Sequence, residues 1–193
     1  MVPRATLAID DVPDPASFCY QAFYCEENAF HLSQDPRFAG RAAAAVFVTG
    51  AEGECVMWHQ RAARRPGAPL SWDYHVFLLA RDPWEIWDLD TVLGCPVPAD
   101  AYLRRSFRPE IELPRELTPQ FRIVGAAELG ATFASDRSHM RRPDGRYLKP
   151  PPPWPPIGRP GLESNLGRFL TMSDSIAGEV TDLAGFLARV TAA

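Results

Sequence analysis

Three consecutive pieces decide the fold: Trp72-Asp-Tyr-His-Val-Phe-Leu-Leu-Ala80, the break Arg81-Asp-Pro83, and Trp84-Glu-Ile-Trp-Asp-Leu-Asp-Thr91. The first is apolar on both alternating faces apart from Asp73 and His75, the pattern of a strand inside a sheet rather than at its wet edge. The break is short enough for an antiparallel hairpin to the second run. If residues 81–84 form a four-residue loop, Ala80 faces Glu85 and His75 faces Asp90. Asp88 then lies on the same face as His75, one diagonal step away. A loop of odd length would break that facing.

Upstream, Cys25, Ala29 and Leu32 fall at i, i+4 and i+7, with Glu26 and Glu27 in the first turn. This spacing predicts a helix over 25–34, stopped before Pro36. Residues 43–49 and 55–60 read as strands joined by a turn at 50–54. Downstream, the pattern predicts a helix over 100–107, a strand over 121–124 and a helix over 126–134. Residues 143–161 are dense in proline, including Pro150-Pro-Pro-Pro153, which forbids regular helix or ladder structure over most of that stretch. A last helix is expected over 175–190, with Val180, Leu183, Leu187 and Val190 as its apolar stripe. Residues 1–17 read as an extended lead-in, because Asp and Pro crowd 10–15. Strands interleaved with helices through antiparallel connections imply one α+β or layered α/β domain over 1–193.

Composition bounds the function. The 193 residues carry 20 basic and 24 acidic side chains for a net charge of −4, which leaves no surplus to neutralise a phosphate backbone. Nucleic acid is excluded as an expected partner. The longest apolar run, residues 42–48, is far short of a membrane span, and the first residues lack the pattern of an export signal. A cytoplasmic setting is therefore expected. Cys19, Cys25, Cys55 and Cys95 form no CxxC pair and read as reduced thiols rather than a disulfide frame or zinc site. The four histidines have no ligand-like spacing, so no metal is expected. His31 and His59 read as exposed or solvated residues.

The chemistry-bearing residues start with Cys25, because a helix N-terminus lowers a thiol pKa and the thiolate is the reactive form. Taken alone, Cys25 reads more readily as one more buried small hydrophobe, as most unpaired intracellular cysteines are. His75, in an otherwise apolar strand, must find a polar partner or cost a few kcal/mol. It is either a satisfied core histidine or an oriented catalytic base. Asp88 and Asp90 share the face that could supply the partner, and periodicity does not choose between them. A thiol, an imidazole and an acid that fixes its tautomer make a nucleophilic triad.

Six blocks in order, Tyr24-Cys-Glu-Glu-Asn28, Trp72-Asp-Tyr-His75, Asp88-Leu-Asp-Thr-Val92, Phe133-Ala-Ser-Asp-Arg-Ser-His-Met140, Pro150-Pro-Pro-Pro-Trp-Pro155 and Asn165-Leu-Gly-Arg-Phe-Leu-Thr-Met172, resemble the protein N-terminal glutamine amidohydrolases. The resemblance covers about residues 18–172. It implies a catalytic triad of Cys25, His75 and Asp88, with Asp90 in support. It also implies a layered α/β/α domain with a mostly antiparallel central sheet, similar to papain-like and transglutaminase-like cysteine enzymes. The implied reaction is deamidation of an N-terminal glutamine in a peptide or protein to glutamate, without a cofactor, by a monomer. Selecting a free N-terminus calls for a carboxylate facing the α-ammonium, and Glu26, Glu27, Asp73 and Asp90 are the candidates. Ser135 and Asp136, in the polar 135–140 loop, are either a loop clamp or a wall of the substrate cleft, and the Pro-rich run reads as a rigid wall. Two other readings keep the same residues: an acyl transferase or deamidase acting on internal glutamine of a partner, and a binding module without turnover.

Overall fold

The computed structural model describes residues 17–158 and 160–192. The expected lead-in therefore falls almost wholly outside the described residues. Among the described residues there are eight strands: β1 (Ala43–Thr49), β2 (Cys55–Met57), β3 (Leu70–Trp72), β4 (His75–Ala80), β5 (Glu85–Trp87), β6 (Val97–Pro98), β7 (Gln120–Gly125) and β8 (Glu179–Asp182). The α-helices are α1 (Cys25–Ser33), α2 (Ala99–Phe107), α3 (Ala126–Thr132), α4 (Leu166–Leu170) and α5 (Leu183–Thr191). Six strands form one sheet in the order β6-β5-β4-β1-β7-β8, while β2 and β3 make a separate ribbon. Every ladder in the sheet is antiparallel. The protein is thus mixed α/β around an antiparallel central sheet.

The hairpin has the register expected of a four-residue loop, with Ala80 opposite Glu85, Leu79 opposite Ile86 and Leu78 opposite Trp87. Side-chain alternation along the strands then sorts the core. Val46, Val48, Phe77, Leu79, Ile86, Phe121 and Ile123 pack with α2 and α5 residues such as Tyr102, Phe107 and Phe186. Ala45, Phe47, Val76 and Val124 pack with Cys25 and Ala29 of α1, Leu129 of α3 and Phe169 of α4. Helices thus cover both faces of β1 and β4, and these strands are buried along most or all of their length.

Three sequence expectations are corrected. The run 72–80 is two strands, because the chain changes partner at Asp73. Its carboxylate accepts the Tyr74 N–H at 3.0 Å and its carbonyl accepts the Thr49 hydroxyl at 2.8 Å, so neither group continues a ladder. Residues 55–57 do not pair with β1 but with β3. The intervening Gly50 is pressed against backbone, and a Cβ there would meet the Glu54 and Glu116 carbonyl oxygens at 2.0 and 2.3 Å. The helix expected over 175–190 begins only at Leu183. Asp182 caps it by accepting the Gly185 N–H at 2.8 Å, and residues 179–182 pair with β7 as an edge strand. Val180 is consequently exposed, and Phe186 and Val190 carry the buried stripe.

Candidate active site

Cys25 opens α1, directly after Tyr24, whose backbone is not yet helical. Ala29 and Leu32 anchor the buried side of the helix, which fixes the thiol close to the first residues of β4. The thiol is 8% exposed and lies 3.9 Å from Glu26 Oε2. Burial and the Glu26 and Asp90 carboxylates push its pKa well above the ordinary range, against a smaller opposing effect from the Val76 N–H. This corrects the expectation that the helix N-terminus lowers it.

His75 is the first residue of β4 and is buried. Its Nε2 lies 3.0 Å from Asp88 Oδ1, and Trp72 stacks on its ring at 5.8 Å between centroids. Strand β5 ends at Trp87, so Asp88 turns out of the ladder toward His75. Asp88 is held from several sides: Tyr102 of α2 donates to Oδ2 at 2.7 Å, Gln60 donates to Oδ2 at 3.4 Å, and the Asp90 N–H donates to Oδ1 at 2.9 Å. Burial alone would raise the Asp88 pKa, but the His75 charge and these hydrogen bonds outweigh it and hold it below the usual carboxylate range. Burial would likewise lower His75, yet Asp88, with Asp90 and Glu26, carries it above the ordinary imidazole value.

Asp90 occupies a different place. It accepts the Tyr20 hydroxyl at 2.7 Å, and burial with Asp88 nearby raises its pKa despite the opposing influence of His75 and Tyr20. A small cavity of about 160 Å3 is lined by Cys25, His75, Asp90, Asp73, Trp72 and Phe23, with Tyr74, Met140, Leu148 and Lys149 completing the wall. The Cys25 thiol and the His75 imidazole therefore line one small pocket.

The other sequence candidates separate. Glu27 is engaged by Arg137 through two hydrogen bonds of 2.6 and 2.7 Å, and by the Trp154 indole at 2.8 Å. It ties α1 to the 135–140 loop and the Pro-rich run. Glu26 accepts the Tyr74 hydroxyl at 3.0 Å on Oε2; its Oε1 stands 3.4 Å from His139 Nε2, without hydrogen-bond geometry. Ser135 is buried and pairs through its backbone with Ile157. Asp136 accepts the Ser138 N–H at 2.9 Å. Neither Ser135 nor Asp136 lines the cavity, whereas Met140 of the same loop does. His31 is half-buried against Trp154 rather than solvated, with its Nε2 shielded.

Sequence reasoning missed Tyr20, Gln60 and Tyr102; Trp72, Tyr74, His139 and Met140 stood inside the quoted blocks without roles of their own. Tyr102 carried a usable signal, since a tyrosine amid apolar helix residues needs a partner for its hydroxyl. Among the described residues no cluster of three or more His, Cys, Asp or Glu is arranged to hold a metal, and no helix is long and apolar enough to cross a membrane.

Comparison with known proteins gives this geometry a family. The chain is 35% identical over 172 residues to a protein N-terminal glutamine amidohydrolase of Arabidopsis thaliana, covering 83% of this chain and 78% of that one. It is 39% identical over 171 residues to the protein of that name from Drosophila grimshawi and 38% over 170 residues to that from Drosophila pseudoobscura pseudoobscura, covering in each case 83% of this chain and 82% of the relative. With the family model for N-terminal glutamine amidase matching residues 20–190, the chain belongs to that family.

Proposed function

We propose that this protein hydrolyses the side-chain carboxamide of glutamine at the N-terminus of peptides and proteins, yielding N-terminal glutamate and ammonia. The observation that carries this reading is the single cavity faced by Cys25 and His75, with Asp88 behind the imidazole. Because Asp88 engages Nε2, Nδ1 is the nitrogen left to serve the thiol. In the proposed reaction the Cys25 proton passes to His75 as Sγ attacks the carboxamide carbon. The protonated His75 then gives that proton to the departing nitrogen, which leaves as ammonia and a thioester remains. Water, deprotonated by His75, attacks the thioester; the thiol is reprotonated and glutamate is released. The Cys25 N–H in the first turn of α1 has no intrahelical partner and is the natural first donor to the oxyanion.

Of the four carboxylates considered for the α-ammonium, Asp73 and Asp90 line the cavity, and these two are our assignment. Glu27 is committed to Arg137, and Glu26 accepts the Tyr74 hydroxyl; neither lines the cavity. The reading also carries a layering similar to papain-like and transglutaminase-like enzymes, a single catalytic domain, a monomeric state and a cytoplasmic setting. Its test is ammonia release from a Gln-initiated peptide, its N-acetylated twin and an internal-Gln peptide, with wild type and Cys25→Ala. Turnover of the free Gln-initiated peptide alone, abolished by the substitution, is the expected result. Equal turnover of the acetylated peptide, or full activity of Cys25→Ala, would overturn it.

A further inference from the structure

A groove of about 1520 Å3 begins where the small cavity opens, and Asp73, Tyr74, Met140 and Leu148 line both. It crosses the end of the sheet at which β1 terminates and β4 and β7 begin, and it reaches Asp182, the last residue of β8. From β4 through β1 and β7 to β8 is three strand spacings, about 14 Å, which is room for about four residues of extended chain at about 3.3 Å each. Its acidic and basic lining residues are Asp73, Glu112, Asp182 and Arg115, a net negative set.

We infer that this groove binds the extended segment following the N-terminal glutamine, about four residues long, and favours a segment rich in Lys or Arg over an acidic one. The inference rests on the amidase reading, which places residue 1 in the small cavity. The chain leaving that cavity must then exit across the shared wall of Asp73 and Tyr74, and the groove is continuous with that exit. Opposite charge on the segment adds attraction that salt screens. The occupant must be unfolded over this length, because a folded N-terminus does not present residue 1 at the end of an extended arm.

The test is a series of Gln-initiated peptides from two to eight residues, with basic, neutral or acidic residues at positions two to five, assayed for ammonia release by the whole protein. Two groove variants accompany it. Gly167 lines the groove and a Cβ there meets nothing within 4 Å, so Gly167→Phe fills the groove without disturbing the core. Glu112→Lys reverses an exposed charge.

Expected is a KM that falls at least fivefold from the dipeptide to the pentapeptide and then levels, with basic peptides ahead of acidic ones at low salt. Gly167→Phe should erase the length gain while leaving dipeptide kinetics unchanged, and Glu112→Lys should narrow the basic preference. Equal KM for dipeptide and octapeptide, or a length gain intact in Gly167→Phe, would overturn the groove while leaving the amidase reading standing. No ammonia from any peptide would remove both.

Discussion

His75 Nε2 and Asp88 Oδ1 meet at 3.0 Å with both side chains almost wholly enclosed, and each shifts the other toward its charged form. In the proposed reaction His75 must be neutral to take the Cys25 proton, so its raised pKa moves the acid limb of activity upward. The kcat/KM profile should rise with pH through a midpoint above the ordinary imidazole value of 6.5. That midpoint belongs to the coupled groups together rather than to one residue. Asp88→Asn removes the charge that raises His75, so the midpoint should fall while the maximal rate drops by about 10²-fold or more. An unchanged midpoint in Asp88→Asn would contradict the assignment.

The same pair sets a stability window. Asp88, with a lowered pKa, contributes stability that is present above its unfolded value and lost as pH falls through the native one. His75, with a raised pKa, contributes stability that is full below 6.5 and lost as pH rises through its native value. Unfolding free energy measured by urea titration should therefore decline at both ends. Asp88→Asn should flatten the decline on both the acid and the neutral side.

In the proposed reaction Tyr102 is a positioning residue: its hydroxyl donates to Asp88 Oδ2 at 2.7 Å and reaches His75 through that carboxylate. Tyr102→Phe keeps the ring packed against Phe77 and Phe107 but leaves a buried oxygen with only the long Gln60 contact. The expected stability cost is about 1–3 kcal/mol. A purely structural role would leave the pH midpoint of kcat/KM where it was. Loss of the hydroxyl should move that midpoint by raising the Asp88 pKa and weakening its hold on His75.

Glu27 and Arg137 form a bidentate pair across 110 residues of chain, and Arg137 also donates to the Trp154 and Pro152 carbonyls. Removing one partner of a buried pair leaves an uncompensated charge. Glu27→Ala should therefore destabilise the fold by about 3–5 kcal/mol. Glu27→Leu with Arg137→Leu should cost less than the sum of the two single changes. Denaturant midpoints of the singles and the double measure the difference, and strict additivity would count against a direct pair.

The hairpin was legible in sequence because an even loop and a doubly apolar strand fix register together, and Ala80 opposite Glu85 follows. Asp73 was not legible as a break, since a single carboxylate in an apolar run looks like an outward-facing residue until its own hydrogen bonds are seen. Val180 misled because an apolar residue at helical spacing also suits an edge strand; Asp182, a capping residue before Leu183, was the available signal. Cys25, His75 and Asp88 stand in short local blocks. Their supports do not: Tyr102 and Gln60 lie 14 and 28 residues from Asp88, and Tyr20 lies 70 from Asp90. Such contacts depend on tertiary placement that no local pattern encodes.

Arg122 extends this lesson to the groove wall. It is a fully buried residue of β7 whose guanidinium, among the described residues, has no carboxylate hydrogen-bonded to it and instead donates to four backbone carbonyls. Nε reaches Phe169 at 2.9 Å, Nη1 reaches Ala177 at 2.7 Å, and Nη2 reaches Thr171 at 2.8 Å and Asp174 at 2.6 Å. One side chain thus gathers the end of α4 and the turn after it, which line the groove through Leu170, Thr171, Met172 and Ser173. Arg122→Met keeps the stem's bulk but orphans those carbonyls, with an expected loss of about 3 kcal/mol as water replaces some of the bonds. Local opening should exceed global unfolding, so proteolysis of the native protein should begin within 169–177. If the groove holds the substrate segment, the variant's KM for long peptides should rise while the dipeptide is unaffected. Cleavage elsewhere first, or an equal KM change for both peptides, would show that Arg122 serves the core rather than this wall.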